Sequence, residues 1–134
     1  MKTAHQPAAL FDSRPFHFSQ VVTAPAGRLV FVAGQTAWDE KGQLVGGDDL
    51  AAQARQALVN VGLALEAAGA TVADLVMMRT FVVNYRPEFV DILLPEFAHF
   101  FTDSPPPANT WVGVQSLALP ELMIEIEAQA VVSR

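Results

Sequence analysis

At 134 residues the chain has the commonest size of a single domain and needs no staple to bury a core. Its hydrophobic share of 51 % against only 16 % charged leaves surplus apolar surface, for which a homo-oligomeric interface is the simplest sink. The absence of cysteine excludes disulfides, thiolate nucleophiles and cysteine-bound metals, and a net charge of −6 with scattered basic residues argues against nucleic acid as a partner.

The amino-terminal stretch lacks an apolar core of signal-peptide length, and no apolar run approaches the roughly 20 residues that span a bilayer. The expectation is one soluble, cytoplasmic domain over residues 1–134 with no membrane partner. Residues 1–14 show no periodicity and are expected to form a loose arm. From Phe16 to Val22 the pattern turns strand-like, and Pro25-Ala26-Gly27-Arg28 reads as a turn. Leu29 to Ala33 is a buried-strand run, ended or bulged at Gly34-Gln35. A turn at Asp39 to Gly42 leads to a short returning strand near Leu44-Val45.

Asp48 or Asp49 can cap the first helix. Leu50, Ala54, Ala57, Leu58, Val61 and Leu65 form one helical face, and Gly69 closes the helix in the left-handed conformation. Gln53, Gln56, Asn60 and Ala67 are assigned to the opposite face, toward solvent or a polar interface. Asp74 to Asn84 is the next strand, with Leu75, Met77, Arg79, Phe81 and Val83 on one face and Val76, Met78, Thr80 and Val82 on the other. A second helix begins near Pro87-Glu88, and Pro95 is expected to kink or restart it. After the stiff Pro105-Pro106-Pro107 linker, Thr110 to Leu117 and Leu122 to Val132 form a final pair of strands. This order predicts an α+β fold, a mixed β-sheet with two helices packed on one face.

Six segments, in order from about Phe16 to Val132, together resemble the Rid (reactive intermediate deaminase, RidA/YjgF) family. They are FVAGQT from Phe31, AAQARQALVNVGLALEAAGAT from Ala51, DLVMMRTFVVN from Asp74, FAHFF from Phe97, PAN from Pro107 and IEIEAQAVV from Ile124. The resemblance implies a chorismate-mutase-like fold and a homotrimer whose three sheets enclose a central barrel, with small-molecule clefts between subunits. It also implies hydrolysis of enamines and imines such as 2-aminoacrylate without metal or cofactor. In that chemistry an arginine grips the substrate carboxylate, a glutamate holds the attacking water, and a tyrosine and a serine line the pocket.

The chain departs from that pattern. The arginine position reads Asn109, which offers neutral donors only; the loss should weaken carboxylate binding by roughly two to three decades. The tyrosine position reads Phe18 and the serine position Ala33, with Gly34 and Gln35 kept. Glu125 alone survives as a candidate catalytic group. Trp111 fills a place that is usually small, and the second helix carries an extra residue.

Glu125, Glu127 and Gln129 share one face of the last strand. Glu127 reads as part of a solvated or barrel-lining stripe, whereas Glu125 can hold a water or a ligand. Arg79 on its apolar strand must reach solvent or a carboxylate, Glu125 or Glu127. Either it makes a structural ion pair or it stands in for the missing clamp in the cleft. His5, His17 and His99 lack metal-ligand spacing, and Trp38 and Trp111 suit core or interface packing as well as a cleft. The expected protein binds, or hydrolyses, a metabolite unlike the family's usual carboxylates. The alternatives are an imine deaminase with a rearranged site and a non-catalytic binding or interaction module.

Overall fold

The computed structural model describes residues 1–134. In chain order the elements are β1 (Thr3–His5), a 3-10 turn (Arg14–Phe16), β2 (Val21–Thr23), β3 (Arg28–Gln35) and α1 (Leu50–Ala67). A second 3-10 turn (Val72–Asp74) leads into β4 (Leu75–Val83), α2 (Phe89–Phe100), β5 (Ala108–Val114) and β6 (Ile124–Val132). The main sheet runs β3-β6-β4-β5, with β4 and β5 parallel and the other pairs antiparallel. A mixed sheet with both helices against one face is therefore what the chain adopts, as its element order predicts.

The alternation in β6 fixes which face is which. Ile124, Ile126, Ala128, Ala130 and Val132 are buried toward the helices, while Glu125, Glu127 and Gln129 point the other way. Fully buried Leu65, Leu93 and Phe97 come down from the helices onto Ile124, Ile126 and Met78. Each side chain of that size contributes about 1.5–3 kcal/mol by leaving water. On the helix-free face Phe31 stays 71 % and Leu29 62 % exposed. No helix is long and apolar enough to cross a membrane.

Several expectations need correction. The last two strands do not pair: β6 inserts between β3 and β4, and β5 lies outside β4. Central placement suits β6 because both its neighbours can then satisfy its backbone, whereas the Pro105–Pro107 approach delivers β5 to an edge. The register of β4 against β6 shifts between Leu75 and Met77, and this bulge returns Leu75 to the core face with Met78 and Thr80. Helix α2 continues through Pro95, held on either side by the buried anchors Leu93 and Phe97. The Phe16–Val22 stretch yields only the 3-10 turn, the short β2 and a parallel bridge from Ser19 to Ala108. The strand near Leu44 shrinks to a bridge with Trp38.

Asp49 is the cap of α1, accepting from Ala52 N at 3.2 Å, and Gly69 follows its end at φ +68°. Gln53 belongs to the buried face. It lies three residues from Leu50, is fully buried, and donates to Gly47 O and Glu121 O while accepting from Met123 N. The amino-terminal arm is organised, too. Its β1 pairs with β2, and Gln6 ties the loop by accepting from Ser13 N and donating to Phe11 O. Lys2 donates to Leu75 O at 2.7 Å, so the segment that shows no periodicity is held by individual polar contacts.

Candidate functional site

The polar stripe of β6 meets β4 in register: Glu125 stands opposite Phe81, Glu127 opposite Arg79 and Gln129 opposite Met77. Directly opposed residues on one face lie within side-chain reach. Arg79 Nη1 accordingly donates to Glu127 Oε1 at 2.7 Å. Of the two carboxylates open to Arg79 in the sequence, Glu127 holds it, on the helix-free face. The pair lines a cavity of about 410 Å³ with Phe31, Ala33, Met77 and Gln129. Arg79 is thus committed to a carboxylate of its own chain.

At the end of β3 the register slips between Val32 and Gln35, and the slip sets Gly34 against Glu125. A Cβ on Gly34 would overlap the Glu125 carboxylate; glycine is what lets the acid lie against the backbone. Gln35 Nε2 turns back to Ala33 O at 3.1 Å. Ala33, Gly34, Gln35 and Glu125 are therefore one neighbourhood.

Phe18, Asn109 and Trp111 form another. Ser19 docks on the proline linker, its N–H donating to Pro107 O at 2.9 Å and its hydroxyl to Pro106 O at 2.5 Å. That docking carries Phe18 to the start of β5, where it lines a pocket of about 360 Å³ with Asn109, Thr110 and Trp111. Phe11, Phe16, Tyr85, Val90 and Leu94 complete the lining. None of the nine residues is charged. Asn109 Oδ1 accepts from Thr80 Oγ1 at 3.2 Å, which leaves the other arm of the amide free. Trp111 serves packing and pocket together, with its ring 5.4 Å from Phe97 and 6.5 Å from Tyr85.

The sequence-derived site residues consequently fall into two groups on one chain rather than a single cleft. Sequence reasoning missed Phe11, Phe16 and Tyr85. Phe11 lies in the arm, which carries no periodicity, and Phe16 reads as the start of a strand, a pattern that carries no sign of a pocket. Tyr85 had a faint signal in the preceding Asn84, a residue type tolerant of the positive φ (+49°) it adopts, and in Gly113, where a Cβ would come 2.9 Å from Tyr85 Cβ. Around the arm, the hydrogen bonds from the Arg14 side chain and backbone hold the Asp12 carboxyl down at about 2. Burial lowers the Lys2 amine to about 8, against the opposing pull of Asp74. No three histidine, aspartate or glutamate side chains converge as metal ligands.

A mixed four-stranded sheet with two helices on one face and a polar, carboxylate-bearing opposite face defines the class. The chain belongs to the Rid (YjgF) family: the family model described as Endoribonuclease L-PSP matches residues 11–132. Among individual relatives, it is 38 % identical over 107 residues to the 2-iminobutanoate/2-iminopropanoate deaminase of Salmonella typhimurium, covering 78 % of this chain and 80 % of that one. It is 35 % identical over 115 residues to a RutC family protein of Pyrococcus horikoshii, covering 84 % and 85 %. Among solved structures, YyfB from Yersinia pestis, a Rid protein of unknown function, superposes with a TM-score of 0.94 at 45 % identity over 98 % of both chains. E. coli TdcF with bound serine gives a TM-score of 0.71 at 29 % identity, over 82 % of this chain and 85 % of that one.

Proposed function

We propose that this Rid protein assembles in the cytoplasm as a homotrimer through its helix-free sheet face, closing a central barrel and leaving small-molecule clefts between subunits. On this reading the Phe18–Asn109–Trp111 group of one subunit and the Ala33–Gly34–Gln35–Glu125 group of a neighbour form the two walls of each cleft. The exposed Leu29 and Phe31 on that face supply the apolar area such an interface needs.

The cleft binds, and at most slowly hydrolyses, a metabolite other than the amino-acid-derived imines handled by the Salmonella relative. The observation that carries this is the uncharged lining around Asn109. A carboxylate brought there would lose its water without meeting a cation, and Arg79 is already paired with Glu127. Phe18 and Ala33 supply no hydroxyl to orient a substrate or its water. Glu125, retained against Gly34, supports the second reading, an imine deaminase with a rearranged site, because it can still hold a water.

Semicarbazide trapping of 2-iminopropanoate separates the two. We expect the chain to leave the rate at its buffer value; a protein-dependent loss of the imine would favour the deaminase. RNA cleavage, which the family description suggests, finds no support in a chain of net charge −6 whose 8 basic residues are scattered along the sequence.

A further inference from the structure

Phe11 presents an apolar ring, 60 % exposed, from a backbone that is held firmly. Its carbonyl accepts from both Gln6 Nε2 at 3.0 Å and Gln20 Nε2 at 2.9 Å. A mobile arm would bury or average such a ring; this one holds it out, 5.4 Å from the ring of Phe16. Across the pocket stand Tyr85 and Trp111, packed edge to face, with Gly113 giving Tyr85 its room. The polar side-chain groups that this chain brings to the lining are the Tyr85 hydroxyl, the Trp111 indole N–H, Thr110 and Asn109, and Asn109 keeps one arm of its amide free beyond its bond to Thr80.

We infer that Phe11 and Phe16 of the amino-terminal arm are specificity-determining residues, closing an aromatic pocket that takes a neutral, ring-bearing molecule with an amide or hydroxyl directed at Asn109 and Thr110. The inference rests on the function proposed above and names its ligand class. A volume of about 360 Å³ lies at the small end of ligand pockets and suits one or two fused rings. Aromatic walls favour a flat partner in stacked or edge contact. Without a cation in the lining, an anionic ring compound is rejected by its own desolvation, and the amide supplies the donor or acceptor that a neutral group needs.

The test uses a matched pair of probes, benzamide and benzoate, which share the ring and differ in charge. Titration of the full-length protein, followed by calorimetry and by the fluorescence of Trp111 in a Trp38→Phe background, should give benzamide a dissociation constant on the order of millimolar. Benzoate should bind at least about tenfold more weakly. The double variant Phe11→Ala/Phe16→Ala, whose rings are both exposed and whose fold circular dichroism can check, should lose about tenfold or more in benzamide affinity. Asn109→Arg should turn the preference toward benzoate. Equal binding of the two probes, binding of neither, or full affinity in the double variant would overturn the inference. The imine assay on the same preparation reads the underlying proposal separately. Turnover of 2-iminopropanoate sinks that proposal, whereas a silent benzamide titration without turnover sinks only the aromatic pocket.

Discussion

Gln53 joins three stretches of chain through one side-chain amide. Its amide holds the Gly46-Gly47 loop ahead of α1, the turn at Glu121 and the Met123 N–H at the mouth of β6. Replacing it with alanine strips three part-buried backbone groups of their partner and opens a cavity at a fully buried position, so Gln53→Ala should cost about 2–4 kcal/mol. An unchanged urea midpoint would contradict that role. The residue also marks where sequence reading stops. Its offset of three from Leu50 places it on the apolar face, but polarity alone argues for the opposite one; a buried glutamine is legible only once its three backbone partners are known. Gly34 is the reverse case. Its glycine identity already signals a bulge or close approach, and the partner turns out to be the flexible end of Glu125. Gly34→Ala should therefore leave the melting temperature within a few degrees while evicting the Glu125 carboxylate, visible as a shifted Glu125 side-chain carboxyl resonance. A resonance that stays put would show that the acid never rested there.

At the scale of elements, the helices and core strands were legible because each carries its own period. The 3.6-residue stripe and aspartate cap of α1 and the strict alternation of β6 are local signals. Strand order was not, since nothing in Ile124 to Val132 says that it will slot between β3 and β4. The bulge in β4 and the uninterrupted α2 are decided by packing for the same reason. The arm was illegible because single polar contacts hold it, among them Lys2 to Leu75 O. That contact has a measurable consequence. With its amine lowered by burial to about 8 from 10.5, Lys2 is harder to charge in the folded state, so it subtracts from stability below pH 8. The penalty fades as pH rises through 8 toward 10.5, where the unfolded chain also loses its proton. Thermal midpoints of the wild type should accordingly gain on those of Lys2→Met across that window. Parallel curves would mean that β1 leaves Lys2 in water.

For the whole molecule, the proposed trimer is what would bring the two groups of site residues together. On one chain Asn109 and Phe18 open on one pocket, and Ala33 and Arg79 on another. The order of the motifs in the sequence made the family legible, and with it the identity of these positions; their separation on the fold was hidden because it depends on strand order. The Arg79–Glu127 pair gives a handle on the face between them. In an isolated chain it is half exposed and worth about 0–1 kcal/mol. Covered by a neighbour, breaking it would leave an unpaired charge costing about 3–5 kcal/mol. Arg79→Ala should then stay folded by circular dichroism yet sediment as smaller species than a trimer of the 14.4 kDa chain, and a trimer of unchanged stability would contradict the proposed interface.

Asn109, in place of a cation, decides what chemistry the cleft can do. The direct test is the rate at which semicarbazide-trapped 2-iminopropanoate disappears with wild-type protein, with Asn109→Arg, and with the variant that adds Phe18→Tyr and Ala33→Ser. The prediction is a wild-type rate equal to buffer and a protein-dependent rate only when the guanidinium at position 109 and the hydroxyls at 18 and 33 are returned. A wild-type chain that consumes the imine as it stands would contradict the account.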